Sequence, residues 1–169
     1  LPISNGYYIQ ETQAPYAYIR NSKDVYSFNF NVLPETQAKA TFSHTFKNDR
    51  TTAKIHIYKV DKESGKAVPQ GDASLEGAVY GLYARNDIVH PDGATGVVFK
   101  AGDLVATLTT DKNGEAEVSN LYLGNYYVKE ITPSEGYLLD EEEHDVVCDY
   151  EGDLVAEVSR STTSAEQVI

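Results

Sequence analysis

A lysine falls on the apolar side of one predicted strand, and a glutamate on the apolar side of another. In the segment AKIHIYKVD, Ile55, Ile57 and Lys59 point to the same face because side chains alternate along a strand. The same alternation in NYYVKEI puts Glu130 on an apolar face. A lysine is almost never fully buried unless it is paired. We therefore expect Lys59 and Glu130 to lie close together inside one β-sandwich.

A buried amine and a buried carboxyl can build an internal cross-link when an asparagine side chain lies beside them. Desolvation lowers the pKa of a lysine, which frees the nucleophilic neutral amine, and raises the pKa of a carboxyl, which keeps it protonated. The acid can then polarise the carboxamide and move protons while the amine attacks and ammonia leaves. Such a reaction turns over once, within the protein itself. Since the sequence shows no other set of convergent acid and base groups, we do not expect an enzyme.

An internal repeat places a second glutamate in an equivalent position. The N-terminal segment GYYIQETQAPYAY is similar in sequence to the later segment NYYVKEITPSEGY. In this alignment Glu11 corresponds to Glu130. In the predicted strand ATFSHTFKND, Asn48 shares the face of the phenylalanines. We interpret residues 1–52 as the C-terminal part of a module and residues 53–169 as a second module that is complete or nearly so.

Short alternating runs between turn residues predict an all-β chain made of β-sandwich modules in tandem, the first incomplete. Seven strands suffice for a two-sheet sandwich in the second module. They are expected at residues 54–61, 77–84, 104–110, 115–119, 125–131, 143–149 and 154–160. Its core is expected to contain Ile55, Ile57, Leu82, Leu121, Val128 and Val146. The connection 86–103 is long, and long connections often carry function.

Composition excludes several classes of function. The chain has 26 acidic and 14 basic residues and a formal net charge of -12, so it would repel the phosphates of a nucleic acid. No apolar run approaches the roughly 20 residues of a membrane-spanning helix. The single cysteine, Cys148, cannot form an intrachain disulfide and is expected to be a small core residue.

Three further patterns are interpreted as structural. The acidic run DEEEHD at 140–145 lacks the spacing of a calcium loop and is expected to be a solvated turn. The four histidines are scattered, without a cysteine partner or paired spacing. LPET at 33–36 lacks the glycine of a sortase signal and is interpreted as a turn. We therefore expect neither a metal nor a cofactor.

Two segments together resemble a known family. KVDKESGKAVPQGDASLEGAVYGLY, followed by LGNYYVKEITPSEGY, resembles the Cna B-type (SpaA-like, prealbumin-fold) domains of Gram-positive pilins and surface adhesins. In that family the lysine of the KVD strand bonds to an Asn or Asp on the last strand, with the glutamate as catalyst. By position, the resemblance assigns Lys59 and Glu130 in the second module, and Glu11 and Asn48 in the first. The lysine of the first module would lie before Leu1.

The second module departs from that pattern in its last strand. After Tyr150 the sequence has Asp153 in a turn but no Asn or Asp in the predicted strand. Ser161 or Gln167 aligns with Asn48, depending on where the gap is placed. We therefore expect Lys59 to pair with Glu130 without a covalent bond to the last strand.

The resemblance implies immunoglobulin-like (prealbumin-like) β-sandwich modules and a mechanical role. We expect a stalk or backbone module of a Gram-positive cell-surface protein or pilus, which spaces an adhesive region from the cell wall and has the family's potential for Lys–Asn/Asp isopeptide cross-linking. The parent protein would be extracellular and anchored in the cell wall, with neighbouring modules as partners. The alternative is an adhesin module that binds a host protein or glycan through the 86–103 loop.

Overall fold

The computed structural model describes residues 6–30 and 39–169 of the chain. All regular elements of these residues are strands, which confirms the all-β prediction. In chain order they are β1 (Tyr7–Gln10), β2 (Val25–Phe28), β3 (Thr52–Asp61), β4 (Val79–Ala84), β5 (Ile88–Val89), β6 (Val97–Phe99), β7 (Leu104–Thr109), β8 (Glu115–Leu121), β9 (Gly124–Thr132), β10 (His144–Cys148) and β11 (Glu157–Glu166). Among the described residues, no helix is long and apolar enough to cross a membrane.

Seven of these strands form the two sheets of a sandwich. One sheet has four antiparallel strands in the order β10-β9-β4-β7, and the other has three in the order β11-β3-β8. In the second sheet β8 is antiparallel to β3, whereas β11 runs parallel to it. The parallel register sets Ser164 opposite Lys59 and Glu166 opposite Asp61. The C-terminal ends of the first and last strands of the sandwich therefore lie side by side.

The core lies between the two sheets, on the apolar faces that the alternation predicted. Every second residue of β3 is buried from Ala53 to Asp61. The six predicted core residues are all buried, which confirms them: Ile55, Ile57, Leu82, Leu121, Val128 and Val146.

The prediction for the last strand was wrong at both ends. The strand was expected at 154–160, but β11 runs from Glu157 to Glu166, and Leu154 lies before it with 73% of its surface exposed. The residues after Arg160 are mostly Ser and Thr, and they form a strand because ten consecutive residues pair with β3. This ladder supplies partners for their backbone groups, which overrides the weak hydrophobic pattern.

The N-terminal residues form a smaller structure around the antiparallel pair β1 and β2. The expected strand at 40–49 is not formed, because no described strand pairs with residues 39–49. Phe42 instead packs its ring on Phe28 and Phe30, at centroid distances of 4.8 and 5.5 Å. Ile9 of β1 is 48% exposed.

Asp153 connects this N-terminal structure to the sandwich. Its Oδ2 accepts a hydrogen bond from the Ala14 N–H at 2.9 Å, and its carbonyl accepts one from the Arg20 N–H at 2.8 Å. The rings of Tyr16 and Tyr150 pack next to it, with centroids 4.7 Å apart. Asp153 therefore holds the two parts of the chain together.

Candidate cross-linking site

Lys59 lies between the two sheets of the sandwich. It occupies an inward position of β3 and is completely buried. Its N–H donates to the carbonyl of Gly114 at 2.7 Å. A side chain at position 114, where φ is +76°, would place Cβ only 2.6 Å from the Lys59 carbonyl oxygen. The close approach of these two backbones therefore requires glycine there.

Glu130 meets Lys59 from the opposite sheet. It lies on β9, is 2% exposed, and its Oε1 is 3.5 Å from Lys59 Nζ. Its other oxygen, Oε2, accepts a hydrogen bond from the Asp140 N–H at 2.8 Å. The alternation in the two segments thus predicted where both side chains point, and the structure brings them together.

A second carboxylate contacts the same amine. Glu166, the last residue of β11, is 1% exposed, and its Oε2 is in direct contact with Lys59 Nζ. The position follows from the register, because Glu166 lies two residues beyond Ser164, the partner of Lys59. Glu166 and Ser164 therefore project inward from the same face of β11.

The sequence pattern does not point to Glu166, because the predicted strand ends at Arg160 and the family pattern has Asn or Asp as the acceptor. Side chains alternate along a strand, and Val158 is buried. A strand that continues to residue 166 would therefore place Ser164 and Glu166 on the same inward face as Val158. The two aligned candidates, Ser161 and Gln167, have the opposite parity and are exposed.

Burial changes the protonation of both predicted partners. Desolvation lowers the pKa of Lys59, against the opposing attraction of Glu130. Desolvation likewise raises the pKa of Glu130, against its hydrogen bond from the Asp140 backbone and the attraction of Lys59. Both shifts favour the neutral forms, an amine and a carboxylic acid, which are the forms needed for amide formation.

Buried hydroxyl groups surround the Glu166 carboxyl. The Tyr80 hydroxyl donates a hydrogen bond to Glu166 Oε1 at 2.5 Å. Ser164 Oγ lies 3.2 Å from the same oxygen and donates to Asp140 Oδ2 at 2.7 Å. The amine itself lies 4.7 Å from the centre of the Tyr137 ring. The site therefore combines one amine with two carboxyl groups in an enclosed, hydrogen-bonded setting.

Glu11 and Asn48 also lie together, in the N-terminal structure. Asn48 Nδ2 donates to Glu11 Oε2 at 2.6 Å and to the Ile19 carbonyl at 2.9 Å. Glu11 Oε2 accepts a further hydrogen bond from the Asn21 N–H at 3.2 Å. Both residues are half-buried, and Asn48 reaches Glu11 from an irregular segment rather than from the expected strand.

The remaining residues singled out in the sequence occupy ordinary structural positions. Cys148 is 1% exposed, and burial raises the pKa of its thiol to about 11, which suits a core residue. In the acidic run, possible ligand atoms of Asp140, Glu142 and His144 lie within 4.8 Å of one another, and His144 Nε2 is hydrogen-bonded to Asp140 Oδ2 at 2.7 Å. The LPET sequence at 33–36 lies outside the described residues.

The long connection at 86–103 folds into a hairpin of β5 and β6. A cavity of about 300 Å³ lies beside it, lined by Val89, His90 and Pro91 of the hairpin and by Arg50 and Thr51 among others. The Arg50 guanidinium already has partners within the chain, since it donates to the Leu121 carbonyl and stacks on the Tyr122 ring. Binding of a host protein or glycan by this loop stays a prediction.

The two sheets and the buried amine–carboxyl site define a prealbumin-like β-sandwich. The model of the SpaA family, described as a prealbumin-like fold domain, matches residues 53–162. The chain belongs to this family, which confirms the resemblance to Cna B-type, SpaA-like domains. No curated protein sequence matches the chain significantly.

A solved structure shows the same fold over nearly the whole chain. The Bacillus anthracis TIE protein is 21% identical with a TM-score of 0.65, covering 98% of this chain and 25% of that one. A group B streptococcus pilus 2b backbone protein is 21% identical with a TM-score of 0.47, covering 72% and 43%. GBS52, the minor pilin of Streptococcus agalactiae, is 24% identical with a TM-score of 0.45, covering 70% and 45%. The chain thus spans less than half of each of these proteins.

Proposed function

We propose that the chain is a structural stalk or backbone module of a Gram-positive cell-surface protein or pilus, reinforced by an isopeptide bond between Lys59 and Glu166. The observation that carries this proposal is the contact between Lys59 Nζ and Glu166 Oε2, deep inside a SpaA-family sandwich. Glu130, with its Oε1 3.5 Å from the same amine, is the catalyst. Glutamate here replaces the Asn or Asp that the family resemblance implied.

Electrostatics favours a covalent bond over an ion pair at this site. An ionised site would bury one ammonium group between two carboxylates, leaving a net negative charge away from water. The desolvation cost of a buried ion pair often exceeds its Coulombic gain, and an uncompensated charge costs more. An amide between Lys59 and Glu166 removes two of the three ionisable groups and leaves Glu130 as a neutral acid. Burial favours that product.

The reaction is a condensation that releases water. The neutral amine of Lys59 attacks Cδ of Glu166, and a bond forms between Nζ and Cδ. Glu130 carries a proton from the attacking nitrogen to the departing Glu166 hydroxyl, the bond from Cδ to that oxygen breaks, and water leaves. An asparagine acceptor would release ammonia instead, so the mass of the product identifies the acceptor.

The position of the bond explains a mechanical role. β3 opens the sandwich and β11 closes it, and the two are parallel neighbours. A pulling force that enters before β3 and leaves after Glu166 would pass from Lys59 directly to Glu166. The chain between these two residues would carry no load, so this part of the sandwich could not be extended. This property suits a stalk or a pilus backbone.

The cellular setting follows from this role. The parent protein is extracellular and anchored in the cell wall, and neighbouring modules of the same surface protein are the partners of this chain. Residues 1–52 are the C-terminal part of a preceding module, in which Glu11 and Asn48 occupy the catalyst and acceptor positions. The hydrogen bond between them, at 2.6 Å, supports this assignment.

The direct test is to map the bond. Digestion of the purified chain followed by tandem mass spectrometry should yield a branched peptide in which the segments around Lys59 and Glu166 are joined through their side chains. The variant Lys59→Arg is the matched control, since it keeps a buried cation but cannot form the bond. Separate, unmodified peptides from the wild-type chain would overturn the proposal.

A further inference from the structure

Tyr80 directs its hydroxyl at the reacting carboxyl from the sheet opposite Glu166. It lies on β4, in the four-stranded sheet, and is completely buried. Its hydroxyl crosses the core to donate to Glu166 Oε1 at 2.5 Å. The alternation of the sequence does not point to the Tyr80 hydroxyl, and the proton transfer assigned to Glu130 does not involve it.

The two oxygens of the Glu166 carboxyl face different neighbours. Oε2 contacts the Lys59 amine, whereas Oε1 points toward Tyr80 and Ser164. When an amine attacks a carboxyl carbon, negative charge develops on the oxygen that stays behind. A hydrogen-bond donor placed at that oxygen before the reaction stabilises the transition state.

Ser164 does not fill this role, which leaves it to Tyr80. The Ser164 hydroxyl has one proton, and its shorter contact is with Asp140 Oδ2 at 2.7 Å rather than with Glu166 Oε1 at 3.2 Å. Burial raises the pKa of Tyr80, so its hydroxyl keeps its proton and remains a donor.

We propose that Tyr80 is a catalytic residue of the condensation, whose hydroxyl stabilises the negative charge on Glu166 Oε1 while Oε2 leaves as water. This inference rests on the proposed Lys59–Glu166 bond. The bond from Nζ to Cδ forms, the bond from Cδ to Oε2 breaks, and Glu130 carries the proton from the nitrogen to Oε2. Tyr80 loses no proton, and Oε1 becomes the amide oxygen, still hydrogen-bonded to the Tyr80 hydroxyl.

The experiment follows bond formation in time with the variant Tyr80→Phe. Full-length chain is made by cell-free synthesis, synthesis is stopped, and the fraction that has lost one water is measured by intact mass spectrometry. The phenylalanine ring keeps the core filled and removes only the hydroxyl. Loss of one oxyanion donor should slow the reaction by about 100-fold to 1,000-fold. Tyr58→Phe, at an exposed position of β3, should react at the wild-type rate.

A second control separates catalysis from stability. Leu82→Ala lies on the same strand, in the core, and should lower the melting temperature without slowing the reaction to the same degree. The inference is overturned if Tyr80→Phe reacts at the wild-type rate, or if Leu82→Ala slows it equally. If the wild-type chain itself never loses water, the proposed bond has failed. If the wild-type chain and Tyr80→Phe lose water at the same rate, the bond forms but Tyr80 is not a catalytic residue.

Discussion

Lys59 and Glu166 lie near the ends of two neighbouring parallel strands, β3 and β11, and their side chains touch inside the core. They are more than a hundred residues apart along the chain, and only the parallel pairing of the first and last strands of the sandwich brings them together. The register puts Ser164 opposite Lys59, so the inward residue two positions later reaches the amine. The candidate site is therefore a direct product of the topology.

Core packing between the sheets can be tested with Ile57→Ala. Ile57 is completely buried on β3, next to Lys59 on the same face. Removing its side chain should lower the free energy of unfolding by about 2 to 5 kcal/mol, because the packed sheets close the resulting cavity only in part. Urea denaturation monitored by circular dichroism measures this loss. Val147→Ala, at a position that is 45% exposed, is the control and should change it little.

The alternation of side chains along β3 and β9 was enough to predict that Lys59 and Glu130 face inward, because the period of two is a property of any strand. The acceptor could not be found in the same way. The run from Ser159 to Ser164 is nearly all Ser and Thr, so its strand character comes from pairing with β3 rather than from its own hydrophobic pattern. The role of Tyr80 depends on the distance between two sheets, which no local pattern contains.

The ionisable site can be tested through stability with Lys59→Met. This change removes the amine and leaves two buried carboxyl groups, so no bond can form and the pair loses its cationic partner. We expect the free energy of unfolding to fall by about 3 to 5 kcal/mol, the usual cost of leaving a buried charge without its partner. The triple change of Lys59 to Met and of both Glu130 and Glu166 to Leu should be milder. If Lys59→Met alone is as stable as the wild type, the account is contradicted.

The pH dependence of bond formation follows from the two shifted groups. Burial lowers the pKa of Lys59, so the reactive amine becomes available as the pH rises through that lowered value. Burial raises the pKa of Glu130, so the proton carrier is lost as the pH rises through that raised value. The rate of water loss should therefore rise and then fall with pH.

To measure this profile, newly synthesised chain is denatured at once and refolded at each pH. Intact mass spectrometry then gives the rate of water loss. In Glu130→Gln, which cannot carry the proton, the maximal rate should drop and the pH profile should change. A profile of Glu130→Gln identical to that of the wild type would exclude Glu130 as the proton carrier.

The intact mass of the wild-type chain beside Glu166→Gln tests the central claim most directly. The wild-type chain should weigh one water less than its sequence mass, and the glutamine variant should weigh one ammonia less than its own. Both chains should then have the same mass, because the product is the same amide. Glu166→Ala should keep its full sequence mass. Wild-type and glutamine chains that both keep their full sequence masses would contradict a bond between Lys59 and Glu166.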